Sequence, residues 1–236
     1  MLRDLELLPR VEEQRNKKDV NIPIIEFDLN EIKSHFDDNI KNIEKNFEIV
    51  DKMASNNEVE KSKNILRSQI VFLESALDFY LHEISKYAMI KIFKDEWPKT
   101  DRYKNLKVEM RLVEDAINNP ESYEWLLNYI NERNKREVYI SLESMKDQLN
   151  LLGIEFNNVI DTAFSNKYNN EGQLLNGKQV IKDLFNRRNE IAHQSDRSHY
   201  NAKQNEITKS YVLESIEYVK NVVLTIHNIA SSKKDD

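Results

Sequence analysis

Three side chains suited to proton transfer and phosphate chemistry lie within six residues of one another near the C-terminal end of the sequence. They are Arg188, Asn189 and His193, and the apolar residues around them recur at helical spacing. Asn189 and His193 are four residues apart, so they share one face of a helix and can touch. Arg188 lies about 100° around the helix from Asn189, and its long side chain can reach the same spot. The sequence therefore predicts that the three side chains converge.

This set of residue types fits the cleavage of RNA by its own 2′-hydroxyl group. Histidine exchanges protons near neutral pH, so His193 is the candidate general base or acid. Arginine presents a planar fork of donors, so Arg188 is the candidate for stabilising the charge that builds on the phosphate oxygens. Asn189 is the candidate for holding the site in position. The reaction requires no metal and no cofactor, and none is expected.

The surroundings of Arg188 distinguish it from an ordinary surface cation. It lies on the apolar face of its helix, between Leu184 and Ile191, where a charge is costly unless an anion or a hydrogen-bond partner meets it. Arg187, one step around the helix, falls on the polar side and requires no special partner. The spacing from arginine to histidine alone is close to chance, so the interpretation depends on this apolar context. The alternative is a structural pair, with Arg188 satisfied by a buried acid and His193 capping the helix.

Two acids on a long upstream helix are candidate supporting residues. Glu74 and Asp78 lie four residues apart on the flank of this helix. The alternative is that both belong to a solvated side of that helix. Arg67, seven residues before Glu74 on the same side, is a candidate for an internal ion-pair network.

The charge distribution indicates where RNA would bind. The whole chain has a net charge of −6, but residues 182–203 carry a local charge of +2, which would attract phosphate. The alternative is an ordinary charged loop. The candidate RNA-binding residues in this stretch are Arg187, Arg197 and Lys182.

The composition excludes many other kinds of protein. Only 3 glycines and 4 prolines occur in 236 residues, too few for a sandwich, barrel or propeller, and no phosphate-binding glycine loop occurs. Cysteine is absent, which excludes disulfides, zinc–thiolate sites and thiol catalysis. No apolar run approaches the roughly 18 residues of a transmembrane helix, and the N-terminus does not resemble a secretory leader. We therefore expect a cytoplasmic protein.

Apolar stripes predict four long helices and hence an all-α, antiparallel helical bundle. The first stripe occupies residues 29–50 and the second helix spans 58–95. Phe72, Ala76 and Phe79 widen the stripe of the second helix, which predicts burial against more than one neighbour. The last two helices cover about 177–194 and 206–231. Weaker patterns predict short helices at 106–117, 123–130, 138–152 and 156–164, and Ile22–Phe27 is a candidate strand or extended arm.

The segment Arg188-Asn189-Glu190-Ile191-Ala192-His193 resembles the signature of the HEPN superfamily of helical-bundle ribonucleases. That signature is an arginine, a polar residue that is often asparagine, and a short spacer to a histidine. The aliphatic and aromatic helix before the segment, and Gln194-Ser195-Asp196-Arg197 after it, are similar to the RiboL-PSP-type branch, as is the upstream segment 67–80. The resemblance covers about residues 60–95 and 175–230.

We expect a single helical domain over residues 1–236, and the resemblance implies an antiparallel up-down bundle of HEPN type with extra helices inserted between the core helices. It also implies that Glu74 or Asp78 could orient Arg188 or His193 across the bundle. The core would be residues 58–95 and 175–231, with an N-terminal arm plus helix at 1–56 and a helical insertion at 97–172. Two protomers would pair so that both Arg188–His193 motifs line one cleft. RNA would be cut without a metal, leaving a 2′,3′-cyclic phosphate.

The resemblance also implies a biological setting. HEPN proteins are widespread as toxins and anti-phage effectors that act on tRNA or other cellular RNA. A homodimer, a possible antitoxin or regulatory protein and no membrane contact are therefore expected. Two other functions fit the same patterns: a catalytically inactive helical module that binds a protein partner or a nucleotide, and an immunity or antitoxin protein, for which acidic character is common.

Overall fold

The computed structural model describes residues 26–169 and 171–233, and these residues form nine α-helices. The predicted all-α class is confirmed. Of the candidate strand or arm at Ile22–Phe27, residues 22–25 lie outside the described residues. The helices are α1 (Leu29–Ser55), α2 (Val59–Phe93), α3 (Asp101–Lys104), α4 (Met110–Asn118), α5 (Glu124–Asn134), α6 (Leu142–Leu151), α7 (Phe156–Ala163), α8 (Gly177–Gln194) and α9 (Lys209–Ser232).

Four of these helices, α1, α2, α8 and α9, form an up-down bundle in chain order. Only residues 56–58 join α1 to α2, and the two helices pack along their lengths. Asp196, just after the end of α8, contacts Arg67 near the start of α2. Lys209 at the start of α9 pairs with Asp51 near the end of α1. Each helix therefore runs antiparallel to the next, as the sequence predicts.

Local sequence signals explain the first helix. The Asp28 carboxylate accepts hydrogen bonds from the backbone N–H groups of Asn30 and Glu31, and the Glu31 carboxylate accepts one from the Asp28 N–H. This reciprocal capping box satisfies donors that a helix start leaves without partners. The predicted apolar stripe of α1 is buried throughout, and it consists of Leu29, Ile32, Phe36, Ile40, Ile43, Phe47 and Val50.

The predicted burial of α2 against more than one neighbour is confirmed, and Ala76 is buried, but the predicted burial of Phe72 and Phe79 is wrong. Their exposed fractions are 55% and 41%. The helix α2 packs on α1, α8 and α9, and the strip of α2 that carries both phenylalanines lies at the edge of its contact with α1. The strip lines a groove of about 430 Å³ together with polar residues of α1, namely Asn39, Asn42 and Asn46. The bundle thus presents apolar surface in a groove between α1 and α2.

The helices between α2 and α8 support the start of α8. A Cβ atom at Gly177, the first residue of α8, would lie 2.4 Å from the ring of Phe164. Glycine therefore lets α8 begin directly against the end of α7.

The remaining differences from the sequence predictions are small. The short α3 was not predicted, and α6 begins at Leu142 rather than at 138, because Ser141 caps the helix and Asp78 holds the preceding backbone at Tyr139.

None of the helices in residues 26–169 and 171–233 is both long enough and apolar enough to cross a membrane.

Candidate active site

The two ends of α8 determine where the Arg188–His193 motif lies. The Asn176 side chain caps the start of the helix by accepting a hydrogen bond from the Gln179 N–H (3.2 Å). The helix stops after Gln194, because Ser195 and Asp196 both adopt left-handed backbone conformations (φ 52° and 58°). His193 therefore lies in the last turn of α8, where its side chain is exposed to solvent.

The apolar face of α8 does not extend through the motif as the sequence predicts. The buried residues of the helix are Gly177, Ile181 and Leu184, all in its first half. Ile191 is only partly buried and Ala192 is exposed. The second half of α8 thus rises to the surface of the bundle, and the motif borders solvent.

The Arg188 side chain turns toward the face of α8 that carries Asn189 and His193. Its Nη1 donates a hydrogen bond to Asn189 Oδ1 (3.0 Å), and its buried Nε has no hydrogen-bond partner within the described residues. His193, four residues after Asn189, lies on the same face but makes no hydrogen bond to either side chain in that part of the chain. No carboxylate of residues 26–169 or 171–233 lies within 4.0 Å of Arg188. Arg188 therefore keeps donors available for an anion.

Glu74 of α2 is a buried acid beside this arginine. Its side chain is only 2% exposed, and Oε2 has no hydrogen-bond partner among the described residues, so the alternative of a solvated helix side is wrong for Glu74. Burial raises the pKa of Glu74 from 4.5 to about 8, against the opposing effect of the Arg188 guanidinium and with a further increase from Asp78. At neutral pH Glu74 is therefore mostly protonated and does not neutralise Arg188.

Asp78 is engaged with residues other than the motif. Its Oδ1 accepts a hydrogen bond from the Tyr139 N–H (2.8 Å), and its Oδ2 lies 3.6 Å from His82 Nε2. The carboxylate therefore anchors the segment before α6 to α2. It makes no hydrogen bond or ion pair with Arg188 or His193 within the described residues, so any support it gives to the motif acts over a longer distance.

Arg187 does not lie on a solvated side of α8, contrary to the sequence prediction. Its Nη2 donates to Asp196 Oδ2 (2.9 Å) and its Nη1 lies 2.5 Å from Asp196 Oδ1. From α2, Arg67 Nε donates to the same carboxylate (2.6 Å). Asp196 is fully buried, and the side chain of Arg187 is only 13% exposed. We call Arg67, Arg187 and Asp196 the Asp196 cluster.

The Asp196 cluster confirms that Arg67 belongs to an internal ion-pair network, but the role of Asp196 was missed from the sequence. Nothing in the local pattern marks this residue as buried, because it follows the last residue of a helix. Its two arginine partners lie 9 and 129 residues away in the chain. The candidate RNA-binding residue Arg187 has its guanidinium directed to this carboxylate instead of to solvent.

The other two candidate RNA-binding residues are exposed. Lys182 projects from the first half of α8. Arg197 belongs to the segment 195–206, which folds into a short hairpin closed by an antiparallel bridge between Arg197 and Gln204, and its Nη1 donates to the Ala202 carbonyl (2.7 Å). We call this segment the 195–206 hairpin. It begins directly at the end of α8, two residues after His193.

Comparison with known protein families shows to which family the chain belongs. The model of the RiboL-PSP-HEPN family matches residues 25–232, which is nearly the whole chain. The chain belongs to this family. The match includes α1 and the helices between α2 and α8, which lie outside the segments on which the resemblance in the sequence rests. This HEPN protein has no significant match among curated proteins or among solved structures. Membership favours a ribonuclease or a nucleotide-related function.

Replacing Glu74 with glutamine is expected to change how the stability of this HEPN protein depends on pH. Because the pKa of Glu74 is about 8 in the folded protein and 4.5 ordinarily, the folded state binds the proton more tightly than the unfolded chain. The free energy of unfolding of the wild type therefore falls as pH rises through this window. Across this pH window, the free energy of unfolding of Glu74→Gln should rise relative to that of the wild type by on the order of 3 to 5 kcal/mol.

Denaturant unfolding followed by circular dichroism at about pH 4, 6 and 9 measures this effect. The matched control is Glu60→Gln, which replaces an exposed acid of the same helix, and its difference from wild type should not grow with pH in this way. A Glu74→Gln difference that is the same at every pH would contradict the buried, protonated state of Glu74.

Proposed function

We propose that this HEPN protein is an endoribonuclease that cuts RNA without a metal and leaves a 2′,3′-cyclic phosphate. The observation that carries the proposal is the contrast between two adjacent arginines. Arg187 is engaged by the buried Asp196, whereas Arg188 is turned toward the Asn189 and His193 face by a single neutral hydrogen bond. Family membership supports the same reading. A guanidinium kept free beside a histidine suits a phosphate whose charge increases during reaction.

The proposed reaction uses two proton transfers. A base removes the proton of the 2′-hydroxyl, the 2′-oxygen attacks the adjacent phosphorus, and the bond from phosphorus to the 5′-oxygen breaks. An acid then gives a proton to the 5′-oxygen that leaves. Arg188 would hold the non-bridging oxygens, and the exposed imidazole of His193 would act as base or acid. One motif supplies one imidazole, so a pair of motifs in a shared cleft would supply both roles.

We propose that such a pair forms when a second copy of the chain docks on the apolar strip of α2. Phe72 and Phe79 are exposed there, in the groove between α1 and α2. Exposed apolar patches of this kind commonly mark protein–protein contacts. A second copy on this strip would give the homodimer that a cleft shared by two Arg188–His193 motifs requires.

Replacing Phe72 with glutamate is expected to convert the dimer into a monomer and to abolish RNA cleavage, because a twofold interface would then bury two uncompensated charges. Light scattering coupled to size-exclusion chromatography measures the mass. The matched control is Ile117→Glu on α4, since Ile117 is 71% exposed and lies on an apolar surface remote in the chain from the motif. A wild-type monomer, or a dimer that survives Phe72→Glu, would contradict the proposed interface.

The direct test of the function is an RNA cleavage assay with the purified wild type in EDTA. Transfer RNA and an unstructured single-stranded RNA are the substrates, and the ends of the products are mapped. Products ending in 2′,3′-cyclic phosphate would support the proposal. No cleavage by a correctly folded dimer would favour the alternative, a helical module that binds a protein partner or a nucleotide, and capture of a partner would then be the next experiment.

We also propose that the protein acts as a toxin or an anti-phage effector on tRNA or other cellular RNA, restrained by an antitoxin or regulatory protein. The support is the family and the general RNA chemistry of the site. Induced expression in bacteria should stop growth with the wild type but not with His193→Ala. Equal growth of the two strains at equal protein levels would contradict this setting.

A further inference from the structure

The 195–206 hairpin is a preformed element and not a loose connection between α8 and α9. Besides the bridge between Arg197 and Gln204, the Ser198 N–H donates to the Lys203 carbonyl (2.9 Å), and the Ala202 N–H donates to the Ser198 carbonyl (2.9 Å). These bonds close a tight turn, with Ala202 in the left-handed region (φ 57°). A ligand that binds this element therefore does not have to order it first.

The base of the hairpin is anchored in the bundle. The backbone carbonyl and carboxylate of Asp196 accept hydrogen bonds from the N–H and the side-chain amide of Asn205 (2.8 and 3.2 Å). The Asn205 carbonyl accepts a hydrogen bond from Arg67 Nη2 (2.8 Å). Both strands of the hairpin are thus fixed to the Asp196 cluster, two residues from the end of α8. The direction in which the hairpin projects from the motif is therefore set by buried contacts.

The tip of this anchored hairpin carries a fully exposed aromatic side chain. Tyr200 has a relative exposure of 101%, the highest among the exposed large hydrophobic residues of the described chain. Residues 197–205 contain no acid, although the chain as a whole has a net charge of −6. Arg197 and Lys203 lie on the two strands below the tip, and both are exposed. An aromatic ring above cations, on the part of the hairpin that contains no acid, has the features of a surface that binds nucleic acid.

We propose that Tyr200 stacks on an unpaired RNA base next to the phosphate that is cut, while Arg197 and Lys203 meet the backbone phosphates that flank this base. The inference rests on the proposed function and names its substrate class, single-stranded or looped RNA. Aromatic side chains stack on any base that is not already stacked in a helix. The hairpin therefore selects unpaired RNA, and it does so without reading a particular sequence.

The test is RNA binding by full-length variants in the His193→Ala background, in EDTA, so that the RNA stays intact. Fluorescence anisotropy with a labelled single-stranded RNA of about a dozen nucleotides gives the dissociation constant. Tyr200→Ala should raise this constant about five- to a hundredfold, whereas Tyr200→Phe should stay within about twofold, because the phenyl ring keeps the stacking surface. Binding to a duplex of the same sequence should be weaker and should not change with Tyr200→Ala.

The chain offers a matched control for the exposed tyrosine. Tyr168 is 57% exposed and pairs with Leu174 through an isolated antiparallel bridge. Tyr168→Ala should bind single-stranded RNA as tightly as the parent protein. Unchanged binding in Tyr200→Ala, or an equal loss in Tyr168→Ala, would overturn the inference.

The outcomes separate this inference from the proposed function. Cleavage by wild type together with unchanged binding in Tyr200→Ala would remove the stacking role and leave the nuclease in place. Weaker binding in Tyr200→Ala together with no cleavage by wild type would retain the stacking role and remove the nuclease. Fluorescence tests the stacking directly. A 2-aminopurine base at the stacked position should lose fluorescence when the RNA binds, and Tyr200→Ala should restore that fluorescence.

Discussion

Replacing His193 with alanine is expected to lower the rate of RNA cleavage by about a hundredfold to ten-thousandfold, the usual contribution of a positioned general acid or base. The side chain is exposed in the last turn of α8, so its removal leaves no cavity and breaks no hydrogen bond within the described residues. Helicity, the mass in solution and the denaturation midpoint should therefore stay as in wild type. The measurement is the single-turnover rate on single-stranded RNA in EDTA.

Arg188→Ala should lower the same rate by about a hundredfold to a thousandfold, because the developing charge on the phosphate would lose its donors. Arg188→Lys should recover only part of this loss, since an ammonium group lacks the fork that binds two oxygens at once. The matched control is Gln194→Ala, an exposed neighbour at the end of the same helix, which should cut RNA as wild type does. A fully active His193→Ala protein would refute the assignment of the site.

The second large effect is on stability. Asp196→Asn is expected to reduce the free energy of unfolding by about 3 to 5 kcal/mol, because it leaves Arg67 and Arg187 without the carboxylate that they share in a buried position. The side-chain exposures of 7%, 13% and 0% for Arg67, Arg187 and Asp196 show how little solvent can compensate. Urea unfolding followed by circular dichroism measures the change, and Asp101→Asn, at an exposed position, is the control.

A double variant distinguishes the contribution of charge compensation from the contribution of packing in the Asp196 cluster. If the cost arises from an uncompensated arginine, adding Arg67→Met to Asp196→Asn should destabilise the protein by less than the sum of the two single changes. Additive effects, or an Asp196→Asn protein within about 1 kcal/mol of wild type, would show that the cluster contributes packing and not charge compensation.

The sequence predicted the elements of the bundle much better than the contacts between them. The stripe of α1 and the bounds of α8 follow from the spacing of apolar residues and from local signals such as Asn176 and Gly177, because these depend on neighbours in the chain. The same periodicity placed Phe72 and Phe79 in the core, since it shows that a side is apolar but not whether another helix covers it.

The candidate site shows the same contrast between features that depend on neighbours in the chain and contacts between distant residues. The pattern predicted that Arg188, Asn189 and His193 converge, because they lie within six residues on one helix; in the described residues Arg188 bonds Asn189, and His193 makes no hydrogen bond to either of them. It misjudged Arg187, whose partner Asp196 is buried only because Arg67 arrives from 129 residues away. It also treated Glu74 as a possible surface acid, since the burial that raises its pKa comes from packing across α2, α8 and α9. Long-range ion pairs and desolvation require the tertiary structure.

The link between Arg67 and the 195–206 hairpin has a consequence for cooperativity. An exposed surface hairpin would ordinarily open by itself, many times for each unfolding of the domain. Here the amide of Asn205 is bound to Asp196, and Asp196 is bound to α2, so the hairpin opens only when the packing of α2 on α8 is lost. The end of α8 and the base of the hairpin therefore belong to the same cooperative unit as the bundle. Their amide hydrogens should exchange with solvent at the slow rate of the core.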